Sequence, residues 1–359
     1  MTDASAQPVR HSRKGLLVPF AIVFVGLALW TGWWFVLTQQ IEKRLEGRIA
    51  RLEQSGWTVR HAGVTTTGWP LRARVAMKHV DVIAPSGHAV AAPEIVAEAN
   101  AYNPTKWVIA APDGLVMTRG AKGKTAVRAE AIRMSIHGLT QRWPNVAVEL
   151  AKPVFTALPD AEPFPLSKAG LVQFYMRPHV AGSNAPTDDV DVLFRLVDGE
   201  GRPNGPVEGL TQSGKLNAQV EAVVEKASAL KGADAHGLLS AWTAAGGRFV
   251  DMKGELGAGE SKTFLSSPAL SADDKGRLEG EVFLRAEKPL AAIVGLAGAT
   301  QGGSVDRAAA ARAAAARAAA ATPQGGSGDQ GQGVDLVLNF KGGRTYLGPF
   351  ALAPAPQLF

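Results

Sequence analysis

Seven histidines, at positions 11, 61, 79, 88, 137, 179 and 236, are the side chains best suited to hold a metal or move a proton near neutral pH. No two of them stand four residues apart with a glutamate beside them, so the helical spacing that builds a zinc site is missing. Asp188, Asp189 and Asp191 form the densest carboxylate group, and paired acids can divide general acid and base roles. Asp191, however, alternates with Val190 and Val192, which predicts the wet face of a strand, with Asp188 and Asp189 in the turn before it. A calcium loop would need a glycine and a terminal glutamate at set positions, and they are absent.

Other chemistry is equally unsupported. The chain has no cysteine, hence no disulfide framework, thiol nucleophile or cysteine zinc site. Ser266 and Ser267 sit in no nucleophile elbow. Gly325-Gly326-Ser327-Gly328 lacks the flanking strand and helix and the Lys-Ser/Thr pair of a phosphate cradle. No catalytic residue, metal or cofactor is indicated, and the expectation is a protein that is not an enzyme.

What the residue types do supply is a one-sided apolar pattern. Val190, Val192, Phe194 and Leu196 alternate with Asp191 and Arg195. Leu216, Ala218, Val220 and Ala222 alternate with Asn217, Gln219 and Glu221. Leu278, Val282, Leu284 and Ala286 face away from Glu279, Glu281 and Arg285, and Val334, Leu336, Leu338 and Phe340 from Asp335 and Asn339. Shorter versions occur at Leu71–Met77 and Ile132–Ile136. Period two is the mark of strands with one buried face. Separators such as Asp198-Gly199-Glu200-Gly201 and Asp273-Asp274-Lys275-Gly276 predict hairpin turns, and so an antiparallel meander.

The elements that must position this face begin with an unbroken apolar stretch, Gly15 to Leu37, behind Arg10, Arg13 and Lys14. As a helix it covers about 35 Å, enough to cross a hydrocarbon core of about 30 Å. It exceeds a usual signal-peptide core, and Trp30, Thr31, Gly32, Trp33 and Trp34 stand where a signal peptidase needs small residues, so it reads as a retained anchor. Trp30, Trp33 and Trp34 are candidates for an interfacial belt. Residues 38–55 carry Ile41, Leu45, Ile49 and Leu52 at helical spacing among charges, an amphipathic helix continuing the span. Ala235–Ala245 reads as a short helical insert. Residues 300–333, with Arg307, Arg312 and Arg317 among alanines, read as a low-complexity Ala/Arg/Gly insert.

The division is thus a tail at 1–14, a transmembrane helix at 15–37, a membrane-proximal helix at 38–55 and a β-rich domain at 56–359. The fold class expected is mostly β (α+β): an N-terminal transmembrane helix followed by an elongated, curved antiparallel sheet with short helical inserts. Cations flank the span on both sides, so orientation rests on the shortness of the first tail, which places it in the cytoplasm. A net charge of +6 and a pI near 9.5 suit an anionic membrane surface. Nucleic acid is not indicated, because the basic residues are scattered without an aromatic partner motif.

Several strings add a resemblance: Gly68-Trp69-Pro70-Leu71-Arg72, Ala92-Pro93-Glu94-Ile95, Ala101-Tyr102-Asn103-Pro104, Ala241-Trp242-Thr243-Ala244-Ala245-Gly246-Gly247, Asp274-Lys275-Gly276-Arg277-Leu278-Glu279-Gly280, Leu347-Gly348-Pro349-Phe350 and Pro356-Gln357-Leu358-Phe359. In this order they resemble a proteobacterial envelope family known as domain of unknown function 2125, distantly similar to AsmA-like proteins of lipid traffic. That resemblance implies a single-pass inner-membrane protein with a periplasmic β-rich domain. Two functions follow as alternatives. In one, Val190, Val192, Phe194, Leu216, Val220, Leu278, Val282, Leu284, Leu336, Leu338 and Phe340 line an apolar groove that binds or conveys lipid or another hydrophobic envelope component. In the other, they are the core of a structural module that binds an envelope protein.

Overall fold

The computed structural model describes residues 14–180, 186–205, 207–211, 214–230, 239–259, 261–287 and 334–358. The expected insert at 300–333 lies outside these residues, as do most of the N-terminal tail and residues 235–238 of the expected helix at Ala235–Ala245.

Helix α1 runs without a break over Lys14–Gln54, joining the apolar stretch to the amphipathic one. It is the one described helix long and apolar enough to cross a membrane. It ends where Gly56 adopts φ 86°, letting the Trp57 amide reach back to the Leu52 carbonyl. A side chain at that left-handed position would be strained, which is why glycine stops the helix there.

Among the described residues, twenty strand segments follow. β1 (Thr58–Arg60) and β2 (Val64–Thr67) precede β3 (Arg72–Ile83) and β4 (His88–Asn100). Then come β5 (Asn103–Ala110), β6 (Leu115–Arg119), β7 (Lys124–Arg128), β8 (Ala131–His137), β9 (Asn145–Ala151) and β10 (Val154–Ala157). β11 (Leu166–Lys168), β12 (Leu171–Val180) and β13 (Pro186–Gly201) lead through α2 (Glu208–Thr211) to β14 (Leu216–Val224). After α3 (Ser240–Ala244) the chain makes β15 (Phe249–Ala258), β16 (Ser261–Ala272) and β17 (Leu278–Glu287). It closes with β18 (Val334–Lys341), β19 (Arg344–Leu347) and β20 (Phe350–Pro354).

The register shows that several of these segments are halves of one strand. β5 and β6 both pair with β4, with Val96 opposite Ala110 and Ala91 opposite Val116. The same holds for β1 with β2, β7 with β8, β9 with β10, and β11 with β12. Twenty segments therefore amount to fifteen long strands, each hydrogen-bonded antiparallel to its neighbours in sequence. No described pairing joins β20 to β1 or β2. The result is an open meander, about 65–70 Å across at the usual spacing between strands.

Two expectations are corrected here. Asp188 and Asp189 lie inside β13, and so does Asp198-Gly199-Glu200-Gly201. The latter residues do not end the strand. They absorb an irregularity, with Asp198 at φ 53° and the register shifting between Leu196 and Gly199. A bulge needs the same left-handed tolerance as a turn, so the two share a composition.

The apolar side chains gather in local clusters, not in one central core. Leu270, Val282, Leu284, Phe340 and Ala355 form one, and Ala169, Leu196 and Leu216 another. The described clusters join neighbouring strands and the segments lying over them, with Leu358, beyond β20, reaching back to the cluster around Val190 and Trp242.

Candidate functional site

Directly opposed residues in an antiparallel sheet project to the same face. Tracing the register from strand to strand gives a continuous line: Val75, Ala97, Ile109, Met134, Val148, Phe174, Phe194, Val220, Gly254, Leu265, Leu284 and Leu336. Two residues along each strand lies a second line on the same face: Ile132, Leu150, Val172, Leu196, Ala218, Leu256, Thr263, Ala286 and Val334. No position on either line carries a charge. The first line crosses twelve strands, about 50 Å.

The reverse face is different. One residue out of phase, the register aligns Arg133, Glu149, Gln173, Arg195, Gln219, Glu255, Phe264, Arg285 and Asp335. Arg133 pairs with Glu149 at 2.9 Å, and Gln173 donates to the same carboxylate at 3.1 Å. Exposed Tyr175, Phe264 and Phe283 interrupt this face, but charge and amide groups dominate it.

The apolar face is covered in patches, by α1 over the first strands and by α3 over part of β13 and β14. At the first strands, Trp34 and Leu37 of α1 pack with Ala101, and the Glu42 carboxylate accepts from Thr66 at 2.7 Å. Ala73 and Val75 are correspondingly buried. Further along, Trp242 of α3 fills a cluster with Val190, Val224 and Ala227, against which Phe249 and Leu358 pack. Its indole N–H donates to the Glu225 carbonyl at 2.7 Å, and its ring lies 4.8 Å from that of Phe249. A Cβ at Gly247 would come within 2.2 Å of the indole, so only glycine can occupy that position beneath the ring. Arg248 closes the turn with a bidentate pair to Glu225 at 2.8 and 3.0 Å, and that hydrogen bond, then the nearby charge, raises the guanidinium pKa further. Beside this cover, on β12 and β13, Phe174 and Phe194 stay 37% and 40% exposed although they face each other on the apolar line.

The sequence-derived candidates divide along this gradient. Val190, Leu216, Val282, Leu284 and Phe340 are buried. Val192, Val220, Leu278, Leu336 and Leu338 are half-buried, and Phe194 is exposed. They do not form one pocket. Leu278, Val282, Leu284, Leu336, Leu338 and Phe340 share a cluster, Val190 and Val192 belong with Trp242, and Leu216 packs near Leu196. Trp242 and Phe174 were missed as face residues, although the Trp-to-Gly-Gly spacing of the former is visible in the sequence.

The three candidate interfacial tryptophans also separate. Trp30 donates its indole N–H to the Pro70 carbonyl at 2.7 Å and Trp34 to the Arg72 carbonyl at 2.8 Å, whereas Trp33 is exposed.

The polar candidates are held by local pairing. Asp191 accepts from Arg177 at 2.9 Å and lies 2.6 Å from His179 Nδ1. Asp188 pairs with Arg142 and with Ser228, and Asp189 accepts from the Lys226 amide. Asp191 borders an open cleft of about 540 Å3 on the charged face, together with His137, Tyr175, Glu221 and Asp251. Among the described residues, no three His, Cys, Asp or Glu side chains converge as metal ligands would.

Residues 34–356 match the model of a family described as "uncharacterized protein conserved in bacteria (DUF2125)". The chain belongs to this family. The match begins at Trp34, where α1 first becomes buried against the sheet, and runs past β20, so the family unit comprises the whole sheet and the docked part of the helix. Neither a curated protein nor a solved structure matches the chain.

Proposed function

We propose that this protein is a non-catalytic, membrane-anchored component of the bacterial envelope. Its sheet binds lipid, or another elongated hydrophobic envelope molecule, along the apolar face. In this reading α1 crosses the inner membrane with the N-terminus cytoplasmic, and the β domain stands in the periplasm. The observation that carries it is the uncharged line across twelve strands, with Phe174 and Phe194 left accessible at its middle. An apolar surface of that length is rare on a soluble face and suits an acyl chain, whose methylenes need burial without directed hydrogen bonds.

The test places a photoreactive benzoylphenylalanine at Phe194 in the full chain, irradiates cells and analyses the adducts by mass spectrometry. Lipid adducts at Phe194, together with lipid retained through mild detergent extraction, are the expected result. A single defined protein adduct with no lipid would overturn this reading in favour of a structural module that grips an envelope protein.

A further inference from the structure

The helix presents bare flanks on every side only up to Leu29, and contact with the sheet starts at Trp30. Lys14 to Trp30 is sixteen rises, about 24 Å, whereas a hydrocarbon core is about 30 Å thick. The span is thus completed by Trp30 to Trp34, and those residues already have the β2–β3 turn attached. Pro70 accepts from Trp30 at 2.7 Å, Arg72 accepts from Trp34 at 2.8 Å, and Trp69 donates to the Thr31 hydroxyl at 3.2 Å. The turn cannot be fixed to these residues and stand clear of the membrane.

The composition of the turn fits that depth. Trp69, Leu71 and, on the adjoining β4–β5 turn, Tyr102 are 49%, 62% and 70% exposed. The two turns are tied together by the Ala101 amide donating to the Leu71 carbonyl at 2.9 Å. Immediately beyond them Arg72 and Arg74 share one carboxylate, Glu98, at 3.3 and 3.5 Å, leaving net positive charge just above an apolar tip. Aromatic and aliphatic tips below a guanidinium pair are the arrangement that sits at the boundary of acyl chains and anionic headgroups.

We infer that the turns carrying Trp69, Leu71 and Tyr102 are embedded in the near leaflet beside α1, a second membrane contact that fixes the first strands of the sheet at headgroup depth. The occupant of this surface is the bilayer in which α1 is anchored, and the inference rests on that anchoring. Leu71 precedes Ala73 and Val75 in the same alternation, and those two residues are buried.

The absence of native cysteine makes the test direct. Leu71→Cys, Tyr102→Cys, Ile22→Cys and Phe350→Cys, each labelled with an environment-sensitive fluorophore, are reconstituted as the full chain in phosphatidylethanolamine/phosphatidylglycerol vesicles. The expected result is blue-shifted emission at positions 71 and 102, quenched by nitroxide lipid and shielded from iodide. Position 350, on the last strand, stays open to iodide. If the labels at 71 and 102 are quenched by iodide as readily as the one at 350, the inference fails. If the label at 22 is also aqueous, the anchor itself fails. Neither result depends on whether the sheet retains lipid, so this inference and the proposed function can fall separately.

Discussion

Phe194 and Leu284 stand on the same apolar line, but the structure assigns them opposite sensitivities to a carboxylate. Leu284 is 6% exposed and packed among Leu270, Val282 and Phe340. Removing a side chain so placed costs about 2–5 kcal/mol, and Leu284→Asp adds the desolvation of a charge. Phe194 keeps 40% of its surface in contact with solvent. Full burial of such a ring is worth about 1.5–3 kcal/mol, so Phe194→Asp forfeits about 1–2 kcal/mol. At about 2–4 °C per kcal/mol for a domain of this size, Phe194→Asp lowers Tm by roughly 2–8 °C and Leu284→Asp by more than about 10 °C. Circular dichroism melts in detergent read the stability, and mass spectrometry of lipid co-purified with unheated protein reads the binding. Phe194→Asp is expected to stay folded and lose its lipid. Equal losses of Tm would show that both residues are ordinary core, and a folded Phe194→Asp that kept a full complement of lipid would remove the face from the binding reaction.

Trp242→Ala empties the cluster over β13 and β14 and is expected to cost about 3–5 kcal/mol, with Trp242→Phe costing less because only the bond to the Glu225 carbonyl and part of the ring volume go. Denaturant titration checks the order, and Gly247→Ala should resemble Trp242→Ala because its methyl and the indole compete for one space. Trp34→Phe removes the donor to the Arg72 carbonyl, a loss of about 1–2 kcal/mol at the junction of helix and sheet. It is expected to speed amide exchange at the start of β3 while leaving β15–β18 unchanged.

Much of the architecture was legible because a sheet with one wet face writes period two into every strand. Leu216 to Ala222 and Val334 to Phe340 reveal their strands without help. What alternation does not encode is how far a strand continues past an irregularity, so Asp198 and Gly199 read as the end of a strand they actually bend. The tryptophans near the end of the apolar stretch were legible as interfacial residues by type. That two of them are also clamps depends on carbonyls at Pro70 and Arg72, about forty residues away, and no local pattern announces such a pairing. Trp242 was obscured similarly, since its short helix lies between strands whose periodicity it does not share.

Pairing every strand with its immediate predecessor has a consequence for how this molecule is made. Apart from the pairing of β17 with β18 across residues 288–333 and the return of residues 356–358 to 276–278, the described contacts between strands close short loops and can form in the order of synthesis. With α1 held first, each emerging hairpin finds a templated edge already present. The same logic makes reach an adjustable trait: adding or deleting a hairpin lengthens or shortens the apolar track by about 10 Å without disturbing what came before it.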